Sequence, residues 1–132
     1  MSWRSEFGDD YDVPAVLEAL VTEGSARDAS WHNDSAPSFD APLDRQDEEP
    51  VRRLRVWIEH PDPTMREMAD KRHRFVITLY DDVTWDSHNA WSGDDPAEAA
   101  GRFRRVLRRL SPGPSTSTPH SWDSMVEAAD LA

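Results

Sequence analysis

The sequence contains no cysteine, only one lysine (Lys71) and no long apolar run. Without cysteine the chain can form no disulfide, no thiolate metal site and no cysteine nucleophile. No apolar stretch approaches the roughly 20 residues that cross a bilayer. The first ten residues are polar and acidic, unlike a signal peptide. We therefore expect a soluble, cytoplasmic protein with no membrane partner.

Phosphate-binding and nucleophile motifs are also missing. The chain has five glycines, and neither G-x-G-x-x-G nor G-x-x-x-x-G-K-[ST] occurs. The G-x-S-x-G pattern of many hydrolases does not occur either. These absences favour a protein that is not an enzyme and has no cofactor.

Negative charge is abundant and unevenly placed. The chain carries 26 Asp and Glu against 15 Lys and Arg, a net charge of −11. Residues 1–50 hold 13 acids and 3 bases, whereas residues 51–110 hold 10 acids and 12 bases. Such a balance suits a salt-adapted proteome, or a protein that imitates nucleic acid. Because phosphates repel an acidic protein, direct nucleic-acid binding is not expected.

Two segments have the period-two alternation of strands, residues 51–60 and 72–81. Their apolar positions predict the buried face of an antiparallel pair, composed of Leu54, Val56, Ile58, Phe75, Ile77 and Leu79. Arginines alternate with them and should pair with acids across the sheet. Residues 35–39 and 83–85 are further short-strand candidates, the first at an edge because of Pro37.

Three helices are predicted. The first follows Asp12 as N-cap and ends at Gly24. The second, arginine-rich, covers residues 95–110 with Pro96 in its first turn. The third is a short tail helix near Trp122, which must dock on the body, a second subunit or a partner.

The order of elements predicts an α+β fold. A small antiparallel sheet of two to four strands is packed by the N-terminal helix and the arginine-rich helix. Residues 1–110 form one domain, in which residues 1–12 are loose and residues 40–50 are an acidic loop. Residues 111–132 form a flexible linker and a short docking helix.

One group of residues could bind a metal. Carboxylates with imidazole suit a divalent cation, and a water on that metal could hydrolyse a phosphodiester. The candidates are Asp81, Asp82, Asp86 and His88. Because Asp and Asn also fill turns, a structural role is the favoured interpretation.

A second group could form a protein interface. Trp and Arg dominate binding energy at interfaces, and the chain has six tryptophans, several in predicted loops. The candidates are Trp31, His32, Trp91, Trp122, Arg102, Arg105, Arg109, Asp47, Glu48 and Glu49.

Three functions remain open on this basis. The leading hypothesis is a small acidic, non-enzymatic protein that binds a protein partner, in its sharpest form as a nucleic-acid mimic of the kind found in phages and mobile elements. The second is a metal-dependent hydrolase using the Asp/His group. The third is a structural homodimer from a salt-adapted proteome.

Overall fold

A computed structural model describes residues 2–43, 52–67, 72–110 and 121–131. Within them lies one antiparallel sheet of five strands, each paired with the next along the chain. The strands are β1 (Arg27–Asp28), β2 (Ser38–Pro42), β3 (Arg52–Ile58), β4 (Phe75–Asp81) and β5 (Ser87–Gly93). The α+β class is confirmed, and the expected size of two to four strands is corrected to five.

The same described ranges contain four α-helices. They are α1 (Trp3–Phe7), α2 (Ala15–Thr22), α3 (Pro96–Leu110) and α4 (Trp122–Leu131). Two short 3₁₀ helices lie at Asp9–Tyr11 and Pro63–Met65. In the described ranges, no helix combines the length and the apolar character that crossing a bilayer requires.

The inner face of the sheet is the apolar face that the sequence predicts. Leu54 lies opposite Leu79, Val56 opposite Ile77 and Ile58 opposite Phe75. All six of these side chains are fully buried. Apolar residues of all four helices join them in one core, so the helices lie on this face.

Helix α3 forms as its sequence predicts. Its buried stripe is Ala99, Ala100, Phe103, Val106 and Leu110, at helical spacing. The tail helix α4 docks on the body of the same chain, where Met125 and Ala129 are buried in the core. Arg52 donates to the Met125 sulfur at 3.3 Å, which links α4 to β3.

The segment expected to be loose, residues 1–12, contains α1 and a 3₁₀ helix in its described part, residues 2–12. Trp3 is buried, its indole N–H donates to Glu18 and its backbone N–H donates to Asp28, both at 2.8 Å. These bonds fasten α1 to α2 and β1. The N-cap of α2 is Pro14 rather than Asp12, which has a left-handed backbone.

The short-strand predictions also need correction. Of the strand predicted at 35–39, only residues 38 and 39 belong to a strand, β2, which pairs with β1 and β3 and is therefore not an edge. Residues 83–85 form a turn, and the fifth strand of the sheet, β5, follows at residues 87–93. Of the expected acidic loop, residues 40–42 belong to β2 and residues 44–50 lie outside the described residues. The expected linker, 111–120, also lies outside them.

An ion pair joins α2 to α3. Two nitrogens of the Arg104 guanidinium donate to the Glu23 carboxylate, Nη2 at 2.6 Å and Nε at 3.1 Å. The Arg104 hydrogen bonds, helped by the Ser25 hydroxyl, lower the pKa of Glu23 from 4.5 to about 2. The fold therefore favours the ionised form of Glu23.

Replacement of Glu23 by Gln should make the free energy of unfolding fall less steeply as pH is lowered from 4.5 toward about 2. A carboxyl with a depressed pKa stabilises the fold above its ordinary pKa of 4.5 and loses that contribution as pH falls toward about 2. Urea-unfolding midpoints of wild type and Glu23→Gln, taken across this pH window, measure the difference. Glu127→Gln, which removes the same charge from an exposed site on α4, is the control. Parallel profiles for wild type and Glu23→Gln contradict the prediction.

Candidate functional site

The outer face of the sheet, opposite the helices, carries a row of polar side chains. Asp40 of β2 lies opposite Arg27 of β1 and Arg55 of β3. Arg55 in turn faces Thr78 of β4, which faces Asn89 of β5. Antiparallel pairing places directly opposed residues on the same face. The row therefore crosses the whole sheet.

Asp40 is the charge centre of this row. Its carboxylate is only 1% exposed and contacts Arg27 at 2.8 Å, Arg55 at 3.0 Å and Arg53 at 3.9 Å. Burial of a carboxylate is costly unless cations and hydrogen bonds compensate for the lost water. The prediction that strand arginines pair with acids across the sheet is confirmed for Arg53 and Arg55, whereas Arg74 donates to backbone carbonyls instead.

Two aromatic rings hold Arg55 in place. Its guanidinium carbon lies 5.1 Å from the centroid of the Trp57 ring and 5.4 Å from that of Tyr80. The Trp57 indole N–H donates to the Tyr80 hydroxyl at 2.8 Å. Such stacking favours a guanidinium group with a fixed position. We call this part of the outer face, formed by Arg55, Trp57 and Tyr80, the rigid floor.

The turn between β4 and β5, residues 82–86, stands at the end of this floor. Asp81 organises it: its carboxylate accepts the N–H groups of Val83 and Thr84 at 2.9 and 3.1 Å. Burial raises the pKa of Asp81, but these bonds and Arg52 outweigh burial and hold the pKa below its usual range. Asp81 is thus an ionised structural anchor for the turn.

Trp85 is the most unusual residue of the turn. It is 86% exposed, and its φ of 64° lies in the left-handed region. That conformation costs roughly 1–2 kcal/mol for a residue other than glycine. Val83 in the same turn is 67% exposed. Two apolar side chains therefore face solvent together on a well-anchored turn.

A shallow pocket of about 270 Å³ lies between the floor and the turn. The Nε–H of Arg53 donates to the Asp82 carboxylate across it at 2.8 Å. We call it the turn pocket; its lining includes Arg53, Arg55, Tyr80, Asp82, Trp85 and Asp86.

The predicted interface residues do not gather at one place. Trp31 is 46% exposed and lies edge-on to His32, with the ring centroids 5.9 Å apart. His32 contacts Glu6 at 2.9 Å. This pair therefore remains an exposed surface candidate, separate from the residues that line the turn pocket.

Trp91 and Trp122 have structural positions. Both are partly buried and pack against the main core. A methyl group on Gly93 would lie 2.5 Å from the Trp91 ring, so the indole covers the glycine backbone closely. Neither side chain belongs to the pocket lining.

The charged residues predicted for the interface fall into two groups, the arginines on α3 and the acids outside the described residues. Arg105 and Arg109 are exposed on α3, and Arg102 on the same helix is half-buried. Asp47, Glu48 and Glu49 fall in 44–50, outside the described residues.

Three of the four metal candidates, Asp81, Asp82 and Asp86, line the turn pocket, whereas His88 lies apart from them. Asp81 anchors the turn, and Asp82 pairs with Arg53. His88 lies opposite Leu79 on the inner face, where its Nε2 contacts Asp130 of α4 at 2.7 Å. Asp86 accepts the Thr84 hydroxyl at 2.8 Å. Over the parts of the chain that the structure describes, no group of three or more His, Asp or Glu is arranged to hold a metal ion.

Sequence reasoning missed Trp85, because its neighbours resemble a short strand. A signal was present: Asp81, Asp82 and Asp86 surround it, and Asp is typical of turns. A tryptophan between turn-forming aspartates should project from the turn rather than enter a sheet.

Replacement of Asp40 by Ala should destabilise the fold by about 3 kcal/mol, because it leaves Arg53 and Arg55 without their shared buried counter-charge. Arg27→Ala is the control: Arg27 is 61% exposed, and such pairs contribute roughly 0–1 kcal/mol. Urea unfolding of both variants measures the difference. Equal losses would show that Asp40 is not the centre of the network.

Trp85→Gly should be more stable than Trp85→Ala by about 0.5–1 kcal/mol. Both variants lose the indole, but only glycine relieves the left-handed strain of about 1–2 kcal/mol. The greater chain entropy of glycine, about 0.5–1 kcal/mol, offsets part of the gain. Urea unfolding compares the two. An alanine variant as stable as the glycine variant contradicts the strain at Trp85.

Comparison with known proteins supplies no relative: no family model, curated protein or solved structure matches this chain. Function is therefore inferred from side chains and geometry. The residues that bear on it are the rigid floor, the turn pocket and the exposed Trp85.

Proposed function

We propose that this protein is a small acidic, non-enzymatic binding protein whose partner is another protein. The contact surface of this proposal is the turn of residues 82–86 with the adjoining pocket. The observation that carries it is the 86% exposure of Trp85 on a strained but firmly hydrogen-bonded turn. Strain of this kind is concentrated at functional sites.

Trp85 has the properties of an interface anchor. A tryptophan buries roughly 150–250 Å² at a contact. At about 25 cal/mol per Å² this is on the order of 4 kcal/mol before the costs of association. Arg and Tyr, which with Trp are the residues enriched at interface hot spots, line the pocket beside it. Val83 extends the apolar surface.

Pre-organisation supports binding at this turn. The Asp81 carboxylate accepts two turn N–H groups, while Trp85 N–H donates to the Asp81 carbonyl at 2.9 Å. The turn therefore keeps its shape without a partner. A rigid surface loses less conformational entropy on binding than a flexible one.

The charged groups of the pocket favour binding over acid–base chemistry. Arg53 and Arg55 are matched by Asp82 and Asp40. The pKa of Asp81 is lowered, so its carboxyl is ionised and no proton donor, and its oxygens already accept bonds from Val83, Thr84 and Arg52. The net charge of −11 disfavours a nucleic acid and favours a basic protein, such as a nucleic-acid-binding protein.

A photo-reactive amino acid at position 83 should capture a discrete protein partner in the cells from which the chain comes. The same group at Met65 is the matched control, since Met65 is 57% and Val83 67% exposed. The two sites lie in connections at opposite ends of β4. Capture from position 83 should weaken with Trp85→Ala and with added salt, which screens opposite charges. Identical adducts from both positions, or no adduct from position 83, contradict the proposal.

A further inference from the structure

The size of the turn pocket limits its occupant. Its volume is about 270 Å³, below the roughly 300–1,000 Å³ of pockets that enclose a drug-sized ligand. It is also partly open to solvent, and Trp85, one of its lining residues, is 86% exposed. One side chain of a protein partner fits this space better than a nucleotide or another large cofactor.

The floor of the pocket is cationic, but its charge is already compensated. Arg55 contacts the buried Asp40 carboxylate at 3.0 Å, and Arg53 contacts Asp82 at 2.8 Å. Both arginine side chains are largely covered, whereas the Asp82 side chain is about half exposed. An incoming ligand therefore meets the acidic rim before it reaches the arginines.

The rim combines acids with an aromatic face. Asp86 is exposed, and within the described residues its carboxylate accepts one hydrogen bond, from the Thr84 hydroxyl at 2.8 Å. Its remaining lone pairs face water and can accept a new donor. Trp85 lies beside it in the chain and lines the same pocket. Tryptophan is the aromatic residue that attracts cations most strongly.

We propose that the turn pocket receives the cationic head of an arginine or lysine side chain of the partner, an inference that rests on the proposed function. The head group lies over the indole of Trp85 and pairs with Asp86, with Asp82 as a second carboxylate. The net charge of −11 steers such a group toward the protein from a distance. The floor fixes the depth to which the side chain enters.

Three capped tripeptides can test this chemistry on the full chain. Gly-Arg-Gly and Gly-citrulline-Gly differ only in charge, and Gly-Glu-Gly supplies the opposite sign. Each is titrated while the backbone amide signals of residues 82–87 are followed by NMR. The arginine peptide should shift these signals saturably, and the other two should not. Signals that shift with the glutamate peptide instead overturn the proposal and assign the pocket to an anion.

Matched variants distinguish binding of the peptide at the turn pocket from its general attraction to the negative net charge of the chain. Trp85→Leu and Asp86→Asn should each weaken binding of the arginine peptide by about two- to fivefold, the range for an exposed cation–π contact and for an exposed ion pair respectively. Asp10→Asn removes the same charge from an exposed site in the first 3₁₀ helix and should leave binding unchanged. If all three variants weaken binding equally, only net charge attracts the peptide and the proposal fails.

The capture experiment at position 83 and the tripeptide titration test the binding function and the cation site separately. A partner captured from position 83, together with tripeptides that do not distinguish arginine from citrulline, overturns the cation site and leaves the binding function intact. A pocket that selects arginine without any partner captured from position 83 overturns the binding function and leaves the cation site standing.

Discussion

The buried carboxylate of Asp40 is the interaction on which the outer face of the sheet depends. It lies among Arg27, Arg53 and Arg55, with nitrogen–oxygen distances of 2.8 to 3.9 Å. Without this counter-charge, half-buried arginines could not lie side by side on one strand. With it, Arg55 stacks on Trp57 and Tyr80, and the sheet offers a rigid surface rather than a flexible charged one.

The two faces of the sheet therefore differ in composition and in the role that we assign to them. The inner face contributes Leu, Val, Ile and Phe side chains to a core shared with all four helices. The outer face has its own small cluster of Ala36, Trp57 and Val76 and the polar row centred on Asp40. Stability comes mainly from the apolar face because burial of apolar area is the dominant favourable term. Recognition is proposed for the other face, where the turn and its pocket project.

Local pattern predicted the elements whose residues are strongly periodic. The alternation in β3 and β4 and the stripe of α3 identified the buried side chains correctly, because burial on one face imposes a fixed period. It did not predict β5, whose polar residues Ser87, His88 and Asn89 lack that alternation. This strand exists through its pairing with β4, and a bulge near Ile77 and Thr78 interrupts its register.

The sequence by itself determined the α+β class, the core positions of β3, β4 and α3, and the acidic charge of the chain. Only the tertiary structure decided which tryptophans are buried in the core. Trp3 is buried because Asp28 and Glu18 accept its N–H groups, and Trp91 covers Gly93. Trp85 is exposed because Asp81 closes a turn that points its side chain away from the core. The burial of Trp3 depends on contacts with residues distant in the chain, which single-residue preference does not encode, whereas the turn that exposes Trp85 is local.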